Sequence, residues 1–214
     1  PSFSKIQNLN PSLIHLHWIC GGFLSVPSIG RLGRLGKPIV WRIPDMWAFT
    51  GAEHYCGNSM RFKNGYTKKN RPYGESGFDI NRWVWKRKKN AWRKIKDLTI
   101  VAPSNWLAKC AKESLLLKDR AIEVIPTGLD TAQFRPHSKK IARDILNLPQ
   151  DKKLILFGAI RAIDDKRKGY EQLKSAVEEL VSNGYGNDYE LIIFGTNDFK
   201  DEADFRMKSK NLGY

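Results

Sequence analysis

The sequence predicts an α/β protein made of two parallel-sheet domains, residues 1–136 and 137–214. Three observations carry this. Short apolar strands alternate with amphipathic helices, an order that favours parallel sheets joined by right-handed crossovers. The stretch Leu154 to Phe157 is apolar at successive positions, as a strand covered on both faces is. Composition changes near Pro136, and the strand, helix, strand alternation then starts again.

The elements follow in order. Ser12 to Trp18 sets Ile14, Leu16 and Trp18 against His15 and His17, which reads as a mostly buried strand. A short helix is expected around Ser25 to Leu32. Pro38 to Ile43 is a second strand, bounded by Gly36 and Pro44, and it delivers Asp45, Met46 and Trp47 into a loop. From Ala48 to Phe78 five glycines and many polar residues leave no sustained period, so a long irregular excursion is expected. Asn81 to Lys96 returns to helical character, with Val84, Ala91, Trp92 and Ile95 on one face and Lys86 to Lys89 winding round the rest. Leu98 to Ala102 is a third strand. Ser104 then caps a helix whose apolar line is Leu107, Ala111, Leu115. Ala121 to Ile125 is a fourth strand, ending at Pro126 to Asp130. In the second domain a helix is read near Lys139 to Leu146, followed by strand 153–157, a helix from Gly169 and strand 189–194.

The chain has 214 residues, 41% of them hydrophobic, enough for a sizeable core. No stretch approaches the roughly 20 apolar residues that cross a bilayer, and no signal segment opens the chain. It reads as soluble and cytoplasmic. Cys20, Cys56 and Cys110 are odd in number and far apart, which points to reduced thiols rather than a disulfide framework. The net charge of +15 is concentrated. Residues 61–96 hold 13 Lys or Arg against Glu75 and Asp79, a balance of +11. Such a segment suits an anionic partner: phospholipid headgroups, a lipid-linked diphosphate or nucleic acid. Its aromatics Phe62, Tyr66, Tyr73, Trp83, Trp85 and Trp92 could stack bases while the cations track phosphates, but no known RNA or DNA motif is present.

After strand 154–157 come Gly158 and a charged loop carrying Arg161, Lys166, Arg167 and Lys168, before Gly169 opens the next helix. Ligands of open parallel sheets bind beyond the carboxyl ends of the strands. There the first N–H groups and positive dipole end of a helix add to cationic side chains in holding a diphosphate. The local pattern fits equally a solvated loop in which Asp164 and Asp165 offset the cations. Asp45 likewise follows a strand, where the sheet presents it to a ligand cleft. His15 and His17 are assigned to a crowded sheet surface, and a proton-transfer role is open to His54 in the loop. No carboxylates or histidines cluster at metal-ligand spacing.

Four ordered blocks carry a resemblance. They are HLHW with the following GG at 15–22, KPIVWRIPDMWAFTGAEHYC at 37–56, VAPSNWLAKCAKESLL at 101–116 continuing into EVIPTGLDTAQFRP at 123–136, and LILFGAIRAIDDKRKGYEQLKSA at 154–176. In these the chain resembles the retaining glycosyltransferases of the GT-B fold, family 4, most closely the bacterial exopolysaccharide and colanic-acid type. The resemblance implies two Rossmann-like domains. The N-terminal one would hold a glycan or lipid-diphosphate-linked acceptor, and the C-terminal one a nucleotide diphospho-sugar. The implied activity is that of a retaining hexosyltransferase of exopolysaccharide or lipopolysaccharide biosynthesis, with no metal or other cofactor. Such an enzyme would work in the cytoplasm, peripheral to the inner face of the plasma membrane through residues 61–96.

On the matching positions, the resemblance implies that Lys168 of the Lys-Gly pair contacts the donor diphosphate. Arg161 is the second cation, with Arg167 the competing choice and Gly158 beside them. These cations stabilise the charge that develops as the nucleoside diphosphate leaves. Lys168, Arg161 and Asp45 are thus the implied catalytic set. Asp45, Trp47, Thr50, Gly51 and Gly128 are implied acceptor-side or cleft residues. Two departures stand out. Pro44 occupies the position where the family usually has a His, and Thr127 replaces Asn in the Pro-Asn-Gly-hydrophobic-Asp signature. Of the cysteines common in the loop after Asp45, only Cys56 is present, which argues against a metal-stapled loop. The first strand with its glycine-rich loop and the family's paired-glutamate segment are both missing. The chain therefore reads as an internal fragment that transfers no sugar alone. The readings set against this one are a basic nucleic-acid-binding module and a non-catalytic scaffold of the same fold.

Overall fold

A computed structural model describes residues 3–160, 163–195 and 205–213. The chain forms two compact units, Pro1–Leu129 and Asp130–Tyr214. Each contains one parallel sheet, so the α/β layout with two parallel sheets is as the alternation predicts.

The first unit runs α1 (Phe3–Leu9), β1 (Ile14–His17), α2 (Val26–Leu32), β2 (Ile39–Arg42), α3 (Arg61–Asn64), α4 (Ile80–Trp92), β3 (Leu98–Ala102), α5 (Asn105–Glu113) and β4 (Ala121–Val124). Its strands lie in the order β1-β2-β3-β4, all parallel. The register aligns Ile14 with Ile39 and Leu98, and Leu16 with Trp41, Ile100 and Ile122. These rows supply the core, into which Trp92 of α4 sets its ring edge-to-face against Trp41 at 5.2 Å. The alternate rows carry His15, His17, Ala121 and Glu123, all exposed. The two histidines therefore face open surface rather than a crowded one. Trp18 does not continue the alternation; its φ of +43° takes the chain out of the strand, and the indole is exposed.

The helix starts follow from their caps. Ser25 Oγ accepts the N–H of Ser28, Asp79 accepts that of Arg82, and Ser104 accepts that of Leu107. The helices α2 and α4 approach closely because α2 presents glycine. A Cβ on Gly30 would stand 2.9 Å from Ala91, and one on Gly33 only 2.2 Å from the Lys94 carbonyl oxygen. The face read for α4 gains two residues, Trp85 and Lys88. Lys88 is wholly buried, together with Trp85, Ala91 and Trp92, so one of the four consecutive cations turns inward.

The second unit contains α6 (Lys139–Ile145), β5 (Lys153–Gly158), α7 (Tyr170–Ser182), β6 (Tyr189–Phe194) and β7 (Ser209–Asn211). The strands are parallel in the order β5-β6-β7. Tyr170, Val177, Leu191, Ile193, Phe205 and Met207 form the core, with Ile155 and Phe157 packed against it. Among the described residues β5 is not covered on both faces, contrary to its apolar run. Leu156 is 66% exposed, and with Leu154 and Ile192 it lines a groove beside α6. A helix of seven residues is too short to cover that face.

Candidate functional site

In the first unit the loop after β2 folds back on itself. The N–H of Met46 donates to the carbonyl of His54 at 3.1 Å. The Thr50 hydroxyl, fully buried, lies 2.9 Å from the Met46 carbonyl and 2.6 Å from that of Glu53. This closure brings His54 to Asp45, nine residues earlier. Asp45 is buried at the carboxyl end of β2, where one carboxylate oxygen accepts the N–H of Trp47 at 2.9 Å. The other lies 2.6 Å from Nδ1 of His54, whose side chain is 43% exposed. A buried carboxylate thus holds one ring nitrogen, and among the described residues Nε2 has no partner. That arrangement orients an imidazole to bind a hydroxyl or move its proton.

Lys88 supports the loop from beneath. Its ammonium donates to the carbonyls of Trp47, Thr50 and Gly51 and stands 3.7 Å from the centre of the Trp47 ring. Burial pushes this amine down to about 7, against the opposing pull of Glu53, Cys20 and Asp45. Burial, and then the charge of Asp45, pushes the Cys20 thiol up to about 11, which keeps it protonated and unreactive. Tyr66 donates its hydroxyl to Glu53, and burial raises that phenol too.

These contacts sort the residues expected in the cleft. Asp45 reaches an exposed partner. Trp47 is half-buried and engaged with Lys88 and Trp41. Thr50 and Gly51 are buried, and a Cβ on Gly51 would meet the Asn81 backbone at 2.6 Å, so this glycine lets α4 approach the loop. Thr127 Oγ1 accepts from Arg42 at 2.7 Å, tying the stretch after β4 to the end of β2. Gly128 has open space around its Cα and no positive φ, so nothing in this unit demands a glycine there.

In the second unit, residues Lys166–Lys168 form one 3₁₀ turn between β5 and α7. Asp165 accepts the backbone N–H of Arg167 and pairs with both Nε and Nη2 of its guanidinium, at 2.8 and 2.6 Å. The guanidinium beside it holds the Asp165 carboxyl down to about 2. Arg167, the competing second cation, is therefore engaged locally. Lys166 and Lys168 are exposed, and among the described residues neither ammonium has a hydrogen bond or an ion pair. Gly169 takes a φ of +79°, a left-handed turn that suits glycine, and α7 starts directly after it. Gly158 packs under the Phe194 ring: a Cβ there would lie 2.2 Å from the ring tip, so that half-exposed side chain would have to move. Arg161 lies outside the described residues.

His54 and Lys88 carry more of this geometry than their sequence surroundings suggest. The only signal for His54 was its place in a glycine-containing loop that starts at a strand-end carboxylate. No family model matches the chain, and no curated protein matches its sequence.

Proposed function

We propose that the chain belongs to a sugar-transfer enzyme of the retaining GT-B, family 4 type that its sequence resembles. The second unit takes the diphosphate of a nucleotide-sugar donor at the turn before α7. The first unit offers the Asp45–His54 pair to a hydroxyl of a glycan or lipid-linked acceptor. The observation that carries the reading is the state of Lys168. Its ammonium is exposed beyond the carboxyl end of β5, next to the N-terminus of a 13-residue helix, and among the described residues makes no hydrogen bond or ion pair while its neighbour Arg167 is paired with Asp165. A cation held there meets the charge that grows on a departing nucleoside diphosphate. The free state of Cys20, Cys56 and Cys110 suits a cytoplasmic reaction.

The test is calorimetric titration of the chain with uridine, guanosine and adenosine diphosphates. At least one should bind, and Lys168→Ala should weaken it by about tenfold or more, the scale of a lost charge-assisted contact. Absence of binding by all three, or equal binding by Lys168→Ala, would overturn the assignment.

A further inference from the structure

The chain has three cysteines and three methionines. Two of each line one pocket of the first unit, of about 270 Å³: Met46, Cys56, Met60 and Cys110. Distance in sequence hides this gathering. Met46 follows Asp45 in the turn after β2, Cys56 and Met60 lie in the loop before α3, and Cys110 is on α5. The Cys56 thiol donates to the Met46 thioether at 3.7 Å. Burial raises the Cys56 thiol and Cys110 adds to the rise, so the second thiol lies within electrostatic reach of the first. Both thiols are free. Lys63 and Lys109 stand on the same wall.

We propose that this pocket binds a soft monovalent cation of the copper(I) class, held by the Cys56 and Cys110 sulfurs as thiolates and by the Met46 and Met60 thioethers. The donor set names the metal. Thioethers are polarisable and uncharged, so a hard cation gains little from them, whereas thiolate and thioether together select copper(I). Zinc would need further nitrogen, oxygen or thiolate ligands. Among the described residues no three His, Cys, Asp or Glu gather, and Glu113 on the pocket wall is already paired with Lys63. Binding displaces one proton from each thiol and transfers no electron. The ion with two thiolates carries a net negative charge, which Lys63 and Lys109 offset. A peroxide-sensing thiol pair fits less well, because burial leads the causes that raise both thiols and keeps them protonated and weakly nucleophilic. An ion held here would tie the loop of the Asp45–His54 pair to α5. The inference does not depend on the sugar-transfer reading, since the pocket uses neither Lys168 nor that pair.

Anaerobic titration of the whole 214-residue chain with copper(I) held by bicinchoninate tests it. The chain should withdraw one copper(I), with an ultraviolet thiolate-to-copper charge-transfer band. Cys56→Ser and Cys110→Ser should each weaken binding beyond the roughly 100-fold that loss of a supporting partner costs at most, and Met60→Leu should weaken it by about tenfold. Cys20→Ser, which alters the one cysteine outside the pocket, should bind as wild type does. Met60 is 53% exposed, so its replacement by leucine leaves the core intact and keeps the test valid if a cysteine variant fails to fold. No withdrawal of copper(I), zinc binding of equal strength, a loss in Cys20→Ser as large as that in Cys56→Ser, or unchanged binding in Met60→Leu would each overturn the proposal.

Discussion

The ammonium of Lys88 sits where the carbonyls of Trp47, Thr50 and Gly51 converge, so these backbone acceptors are satisfied from α4 rather than by water. Removing the amine while keeping its volume leaves three acceptors facing apolar atoms. Lys88→Met should therefore destabilise the first unit by about 2–4 kcal/mol, read from urea denaturation. The pH dependence has a definite sign. With the folded amine at about 7 and the unfolded one near its ordinary value of about 10.4, the unfolded chain binds the extra proton between those limits. Stability from this group therefore rises with pH across that window and is flat below it. The difference between wild type and Lys88→Met, measured at several pH values, isolates it; a difference that falls as pH rises would contradict the assigned direction. At this scale the site was half legible. Asp45 could be read from its place after a strand, and Lys168 from its Lys-Gly pair before a helix. The burial of Lys88 could not, because four consecutive cations give no period that singles out the one turned inward. Nor could the meeting of Asp45 with His54, which depends on the closure from Met46 to His54 across an aperiodic loop.

Elements were more legible than contacts, because caps and apolar periods are local and packing is not. Ser25, Ser104 and Gly169 each stand where the sequence places a helix start, and the core-forming strands fall on the apolar runs. The coverage of β5 is not legible from its own run: whether Leu156 is buried depends on how much of that face the short preceding helix α6 spans. The α2–α4 contact is of the same kind. Gly30 and Gly33 read as helix weakeners from propensity, yet they permit the closest approach between these helices. A methyl at Gly33 would be driven into the Lys94 carbonyl, which belongs to a backbone held by Trp92 and Ile95 in the core. Gly33→Ala should therefore cost about 1–3 kcal/mol, as overpacking does, although alanine favours helix more than glycine. A midpoint in urea that is unchanged or raised would show that α2 slides to accept the methyl.

At the scale of the whole molecule, the two hydrophobic clusters share no residue among those described. The first draws on Ile14 through Leu117 with Ile122 beside it, and the second begins at Ile155. Cooperativity rests on shared burial, so each cluster should melt by its own free energy. The tryptophans make this measurable, because all seven, from Trp18 to Trp106, lie in the first unit. Tryptophan fluorescence of the full chain therefore reports only on that unit, whereas far-ultraviolet circular dichroism reports on both. Residues 1–129 expressed alone keep every strand of the four-stranded sheet and the Arg42–Thr127 hydrogen bond. They should unfold in one cooperative urea transition, with fluorescence and circular dichroism superimposing. In the full chain the fluorescence curve should coincide with that of the 1–129 piece while the circular dichroism curve departs from it. A 1–129 piece with no cooperative transition would mean that the first sheet draws its stability from residues beyond Leu129, and the two clusters would then have to be treated as one folding unit.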